Sequence, residues 1–257
     1  MKKIPLILVY LCLMTSPVFA FSSAIQAVIG ASSAPSGFCA GTELFCATFE
    51  ADGEITWTAT PGDEDCDGYD ADNDWCDYDA TAPNPLVGVH GGGIRGANTV
   101  YVSKTLTSTT KEFHTEFTWR TDAANTFHGF RLYDDTASKY TFSVYVMSSG
   151  VLSIYFDNGN SSLTDDTISA NTTYHIGVYF KEATNSTSLD GKITIWLNTD
   201  GSAFNAADII HGPLTNLDCN NGLTTRTIML QGPVANKINY YDNVKVITGT
   251  PPASWSE

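Results

Sequence analysis

The chain has 257 residues, 28 acidic side chains against 13 basic, a formal net charge of −15 and 12% aromatic residues. A surface of that sign repels nucleic acid and anionic membranes, which excludes phosphate-backbone binding as the main function. Beyond the first twenty residues no apolar run approaches the roughly 18 residues of a spanning helix, so no membrane insertion is expected.

Residues 1–20, MKKIPLILVYLCLMTSPVFA, start with two lysines, continue through an apolar stretch and close on Val18-Phe19-Ala20. That is the layout of a secretory signal peptide and its small-residue cleavage site. Cys12 follows Leu11, not the small residue that a bacterial lipoprotein signal needs. The expected product is secreted, from a bacterial cell by the look of the lysine-headed leader. Cleavage would remove two lysines and take the charge from −15 to −17. Residues 21–37 are small and weakly patterned and read as a flexible N-terminal arm.

Five cysteines follow the leader, in keeping with an oxidising compartment. Cys39 and Cys46 bracket AGTELF, and Cys66 and Cys76 bracket an acidic loop, so pairing within each couple is the simplest arrangement. Cys219 is left over, as a buried thiol or as a partner for the N-terminal region.

The acidic loop, residues 61–79 (PGDEDCDGYDADNDWCDYD), is the strongest local signal. Asp63, Asp65, Asp67 and Gly68 fit D-x-D-x-D-G, in which alternate carboxylates converge and the glycine permits a sharp turn. Asp70, Asp72 and Asp74 continue the run. Such a density of carboxylates repels itself unless a hard cation with oxygen ligands neutralises it, which points to calcium; the alternative is a solvated acidic loop. The spacing is not that of an EF-hand, and it is similar to a thrombospondin type 3 calcium repeat in a single copy.

From residue 100 onward the pattern is alternation at the period of strands. FHTEFTWR puts Phe113, Thr115, Phe117 and Trp119 on one face; YTFSVYV, VLSIYF, TYHIGVYF and KITIWLN repeat the device. VYVSKTL, HGFRLYD, TRTIMLQG and INYYDNVKV read as further strands. Ser149-Gly150, Asn158-Gly159, Asp190-Gly191, Asp200-Gly201 and Asn221-Gly222 supply turns. His90 beside Gly91-Gly92-Gly93 reads as a turn, and SAFNAADII as a brief helix. Residues 248–257, rich in proline, read as a frayed C-terminal tail. Many short strands without βαβ alternation predict an all-β, two-sheet antiparallel sandwich over residues 38–247.

Three segments together carry a family resemblance. LFCATFEADGEITWTAT near the start, the central meander, and INYYDNVKV near the end resemble the concanavalin A-like lectin/glucanase superfamily, in particular laminin G-like jelly rolls. The resemblance implies two curved sheets with ligands lying across one of them, often glycans. It also implies a calcium ion tying the first strand to the last, for which Glu50 and Asp242 are the matching oxygen donors; the alternative makes them ordinary rim carboxylates.

The other face of the alternating strands is unusually aromatic and basic. It carries His114, Glu116 and Arg120, then Arg131 and Tyr133, Tyr145, Tyr155, His175, Tyr179 and Trp196. Aromatic planes stack on sugar C–H faces while Arg, His and Glu meet hydroxyls, so these ten residues form a candidate glycan-binding groove if their strands share one sheet. If the strands divide between sheets, the side chains scatter. Jelly-roll alginate lyases work from such a face, and His114, Arg120, His175 and Tyr145 are the set that this resemblance implies. Paired carboxylates of a glucanase are absent, since Glu116 has no acidic partner at 114 or 118. The leading expectation is thus a secreted, calcium-stabilised sandwich that binds glycan or polysaccharide as an adhesion or recognition module. The alternatives are a polysaccharide lyase and a self-associating coat or filament subunit whose arm 21–37 pairs with a neighbour's sheet edge.

Overall fold

The structure is a computed structural model, and it describes residues 38–49, 58–60, 76–79, 91–95, 101–106, 111–122, 127–134, 139–147, 149–156, 160–185, 187–217, 226–231 and 238–255. All of them belong to one compact unit spanning residues 32–257. Its strands, in chain order, are β1 (Phe45–Ala47), β2 (Thr58–Thr60), β3 (Cys76–Asp79), β4 (Gly91–Arg95), β5 (Tyr101–Leu106), β6 (Glu112–Thr121), β7 (Phe127–Asp134) and β8 (Lys139–Val146). They continue with β9 (Val151–Phe156), β10 (Asn160–Thr167), β11 (Thr173–Lys181), β12 (Gly191–Asn198), β13 (Ile209–Leu217), β14 (Arg226–Gln231) and β15 (Ile238–Thr248).

These strands form two antiparallel sheets. The first runs β13-β12-β11-β6-β15-β4-β3, with β1 also pairing β15; the second runs β10-β9-β8-β7-β14-β5-β2. The predicted two-sheet sandwich is therefore the fold. Alternation explains it directly. Phe113, Phe117 and Trp119 of β6 face Phe130 and Leu132 of β7, Phe142, Val144 and Val146 of β8 and Leu152 and Ile154 of β9 across one buried core. Phenyl rings bridge the two sheets, with Phe117 stacked on Phe130 at 4.9 Å and Phe113 within 5.9 Å of Phe142.

Three local predictions are corrected. Gly91-Gly92-Gly93 is no turn but part of β4, which pairs with β15 and with β3. The segment read as a helix shrinks to a 3-10 turn, Ala206–Asp208, followed at once by β13. The tail is not frayed: Trp255 is 6% exposed and belongs to a buried aromatic cluster. A tryptophan left in water among prolines forfeits a large hydrophobic gain, and docking recovers it.

β15 carries the one-residue bulge that shapes the first sheet. Asp242 pairs Thr118 and Lys245 pairs Glu116, so three steps on β15 match two on β6. Asn243 takes up the extra residue at φ 47°, a left-handed conformation that asparagine tolerates. On the opposite edge of β15, β4 pairs as far as Tyr241 and β1 takes over at Val244. The disulfide Cys39–Cys46 closes the segment entering β1, as predicted. Cys66 and Cys219 lie outside the described residues, as does the arm 21–37. Among the described residues no helix is long and apolar enough to cross a membrane.

Candidate functional site

The ten side chains of the expected groove divide between the sheets. His114, Glu116 and Arg120 lie on β6, His175 and Tyr179 on β11 and Trp196 on β12, all in the first sheet. Arg131 and Tyr133 lie on β7, Tyr145 on β8 and Tyr155 on β9, all in the second. Side chains turned away from the shared core leave a sandwich on opposite sides, so the single groove does not form. The lyase set is split for the same reason: Tyr145 stands on the other sheet from His114, Arg120 and His175. The chain passes from the first sheet to the second between β6 and β7, a crossing that alternation within a strand cannot reveal.

On the first sheet, register sets Lys245, Glu116, Gly177 and Trp196 in one row across β15, β6, β11 and β12. Gly177 leaves a hole in that row, and two rings from elsewhere fill it. A Cβ at position 177 would stand 2.8 Å from Phe204 and 3.0 Å from Trp255. Phe204 is held there by the turn that follows it, where Asn205 Oδ1 accepts from the Ala207 N–H at 2.9 Å and Asp208 Oδ2 accepts from the Asn205 N–H at 2.9 Å. Trp255 meets Trp196 at 5.3 Å, Phe204 at 4.8 Å and His114 at 5.3 Å, each edge to face. Tyr179, Trp196, Phe204 and Trp255 thus make a second, smaller core on the outside of the first sheet.

The polar groups beneath these rings are mutually satisfied. The Lys245 ammonium forms an ion pair with Glu116 Oε1 and lies 4.2 Å from the Phe38 ring centroid. His175 Nε2 stands 3.8 Å from Glu116 Oε2, and its ring stacks on Phe204 at 4.2 Å. His175 Nδ1 donates to the Ser202 carbonyl at 3.3 Å and His114 Nδ1 to the Gly249 carbonyl at 3.1 Å, since a carbonyl only accepts. The Tyr179 hydroxyl donates to Glu112 at 2.7 Å. Burial pushes both imidazoles below their ordinary value, outweighing the carbonyls and Glu116, while Lys245 acts in the same direction as burial. Sequence reasoning found the two histidines and Glu116 but missed Lys245, Phe204 and Trp255, which close the face. The signal for Trp255 was a lone large ring in a tail otherwise made of small residues and prolines.

The second sheet presents a different surface. Arg131 lies opposite Ser143 of β8 and Met229 of β14, Ser143 lies opposite Tyr155 of β9, and Tyr145 lies opposite Ser153. Tyr145 and Tyr155 are therefore diagonal neighbours, and their rings touch edge to face at 5.0 Å and 82°. Tyr133 lies opposite Thr227, whose hydroxyl is 3.2 Å from that of Thr105. Arg131, Tyr133, Tyr145 and Tyr155 are all half-buried: each is anchored in the sheet and keeps part of its surface in solvent. Ser143 and Ser153 between the large side chains are buried, so the half-exposed rings supply the stacking planes of this face, and the Arg131 guanidinium and the tyrosine hydroxyls its polar groups.

Of the expected metal ligands, Asp63, Asp65, Asp67, Asp70, Asp72, Asp74 and Glu50 lie outside the described residues. Asp242 is described. Its carboxylate is fully buried at the bulge of β15 and accepts the Asn243 N–H at 2.8 Å. The Asn243 side-chain oxygen is buried without a hydrogen-bond partner. Both residues stand where β1 and β4 exchange places on β15. Among the described residues no group of three or more His, Cys, Asp or Glu is placed to hold a metal.

No family model matches the chain, and no curated protein matches it. Solved structures with similar folds include a carbohydrate esterase from the Shiga toxin-encoding bacteriophage phi24B, at 11% identity and a TM-score of 0.46, covering 80% of this chain and 100% of that one. An alginate lyase in complex with alginate trisaccharide is similar at 14% identity and a TM-score of 0.39, over 62% of this chain and 82% of its own. A heptameric pentraxin from Limulus polyphemus is similar at 14% identity and a TM-score of 0.41, over 61% and 74%. Likeness at this level carries nothing about activity or ligand; the sandwich rests on the strand pairing itself.

Proposed function

We propose that the protein is a secreted, calcium-stabilised β-sandwich that binds glycan on the outer face of its second sheet. The observation that carries this reading is the arrangement of Arg131, Tyr133, Tyr145 and Tyr155 on β7, β8 and β9, all half-buried, with the Tyr145 and Tyr155 rings in edge-to-face contact. Pyranose rings offer C–H faces to aromatic planes and hydroxyls to guanidinium and hydroxyl groups, and this face supplies both. The outer face of the first sheet is unsuited to the same task, because Phe204 and Trp255 already cover it. Export rests on the leader. Calcium rests on the acidic loop and on the buried oxygens at Asp242 and Asn243.

A glycan array spanning neutral and acidic polysaccharides, followed by calorimetry on the hits, tests the proposal. Tyr145→Ala and Tyr155→Ala should each weaken binding about tenfold or more, as loss of a stacked aromatic anchor does at other interfaces. Leu189→Ser, at an exposed site between β11 and β12, should leave binding unchanged. Equal affinity of all three variants would sink the assignment of the face.

A further inference from the structure

Arg120 is a cation without an anion in a chain that carries 28 acidic side chains. Among the described residues, Lys245 pairs with Glu116 and Arg226 with Glu182, but no carboxylate lies within ion-pair distance of Arg120. Its side chain makes one hydrogen bond, from Nη2 to the Asn171 side-chain oxygen at 3.4 Å, and that contact lies in solvent. Nε, at the inner end of the guanidinium, is buried and meets no acceptor. The two acids beside it are turned to backbone N–H groups instead. Asp122, two residues further along the chain, accepts from Ile238 at 2.7 Å, and Asp242, diagonally across on β15, accepts from Asn243 at 2.8 Å. We propose that Arg120, with Asn171 and Thr173 beside it, is a binding site for an oxyanion, either the carboxylate of an acidic sugar or a free small ion.

Register places Arg120 between Tyr240 of β15 and Thr173 of β11 on the outer face of the first sheet. That position is about 13 Å along β6 from Glu116, whose row Phe204 and Trp255 cover. Asn171 is exposed and fixed by its backbone: it sits at φ 63°, and its N–H donates to the Thr121 carbonyl at 2.7 Å. A guanidinium presents its Nη edge as a flat fork, from which two oxygens of one anion accept together. With Nε buried, the Nη end is the edge left at the solvent boundary. Because the Asn171 oxygen faces the guanidinium, its Nδ2 remains as a further donor, and Thr173 brings a hydroxyl to the same face. A neutral ligand covering this half-buried charge leaves it uncompensated, whereas an oxyanion compensates it. The net charge of −15 repels anions at long range, so attraction is confined to contact and the dissociation constant is expected on the order of 1 mM.

The test titrates the full chain with sodium acetate, sodium sulfate and sodium glucuronate, at an ionic strength held constant with chloride. Proton–nitrogen NMR follows the Arg120 Nε–H and the Asn171 side-chain amide. Saturable shifts at both groups are expected, and Arg120→Gln, followed at Asn171, should weaken binding about tenfold or more. Arg120→Lys, a point charge without the fork, should fall between the two. Tyr145→Ala, on the other sheet, should leave the titration unchanged, so the outcome is independent of where glycan binds. Glucuronate bound about tenfold tighter than acetate identifies the ligand as an acidic sugar, and equal affinities identify it as the small ion. Shifts that never saturate, shifts that persist unchanged in Arg120→Gln, or an Arg120 signal that does not move with any of the three anions would overturn the proposal.

Discussion

Arg226 and Glu182 join the two sheets by an ion pair from which water is wholly excluded. Arg226 Nη2 donates to Glu182 Oε1 at 2.7 Å, Nη1 donates to Thr141 at 3.0 Å, and the guanidinium lies 4.9 Å from the Phe113 ring. Removing one partner of such a pair strands a buried charge. Glu182→Leu or Arg226→Met alone should therefore cost about 3–5 kcal/mol in urea unfolding, and the double replacement should recover most of that loss. Half of the arrangement is legible in the sequence: Arg226 shares its parity with Ile228 and Leu230 in TRTIMLQG and so points inward. Its partner, 44 residues away, is not legible, because nothing local marks Glu182 as the acid that reaches it. The histidines show the same limit. Alternation puts His114 and His175 on an outer face, and only the path of the tail reveals that this face is buried.

At the scale of elements, strands with strong alternation were readable and strands without it were not. FHTEFTWR and TYHIGVYF become β6 and β11, paired residue for residue from Phe113↔Phe180 to Thr173↔Arg120. β10 (NSSLTDDT) and β13 (IIHGPLTNL) escaped notice because both are edge strands, whose polar and proline-bearing sequences read as loop. β4 escaped because three glycines look like a turn, whereas here they form a strand between β15 and β3. The bulge in β15 turns on Asn243 at φ 47°. A β-branched side chain is strained in that conformation, so Asn243→Val should lower stability by about 1–3 kcal/mol. Asn243→Gly should cost much less, and thermal melts of the two variants in chelator make the comparison.

At the scale of the whole molecule, the sequence showed a sandwich and an aromatic, basic outer surface but not which residues share it. Partition of strands between sheets depends on crossings such as that between β6 and β7, and periodicity is blind to them. The result is two unlike faces: one closed by the chain's own loop and tail, one carrying half-buried tyrosines and an arginine. A net charge of −15 also opposes compaction unless cations are taken up. Calcium at saturating concentration should raise the melting temperature, by the equivalent of about 2.7 kcal/mol at a hundredfold excess over its dissociation constant. Asp242→Asn should shrink that shift if the bulge contributes ligands; an unchanged shift would confine calcium to the acidic loop.

Hydrogen–deuterium exchange, with and without an oligosaccharide selected on the array, tests the central claim most directly. Binding on the second sheet should slow exchange in β7, β8 and β9, around Arg131, Tyr145 and Tyr155, and leave β11 and β12 as they were. Protection confined to β6, β11 and β12, or an array on which no glycan binds, would contradict it.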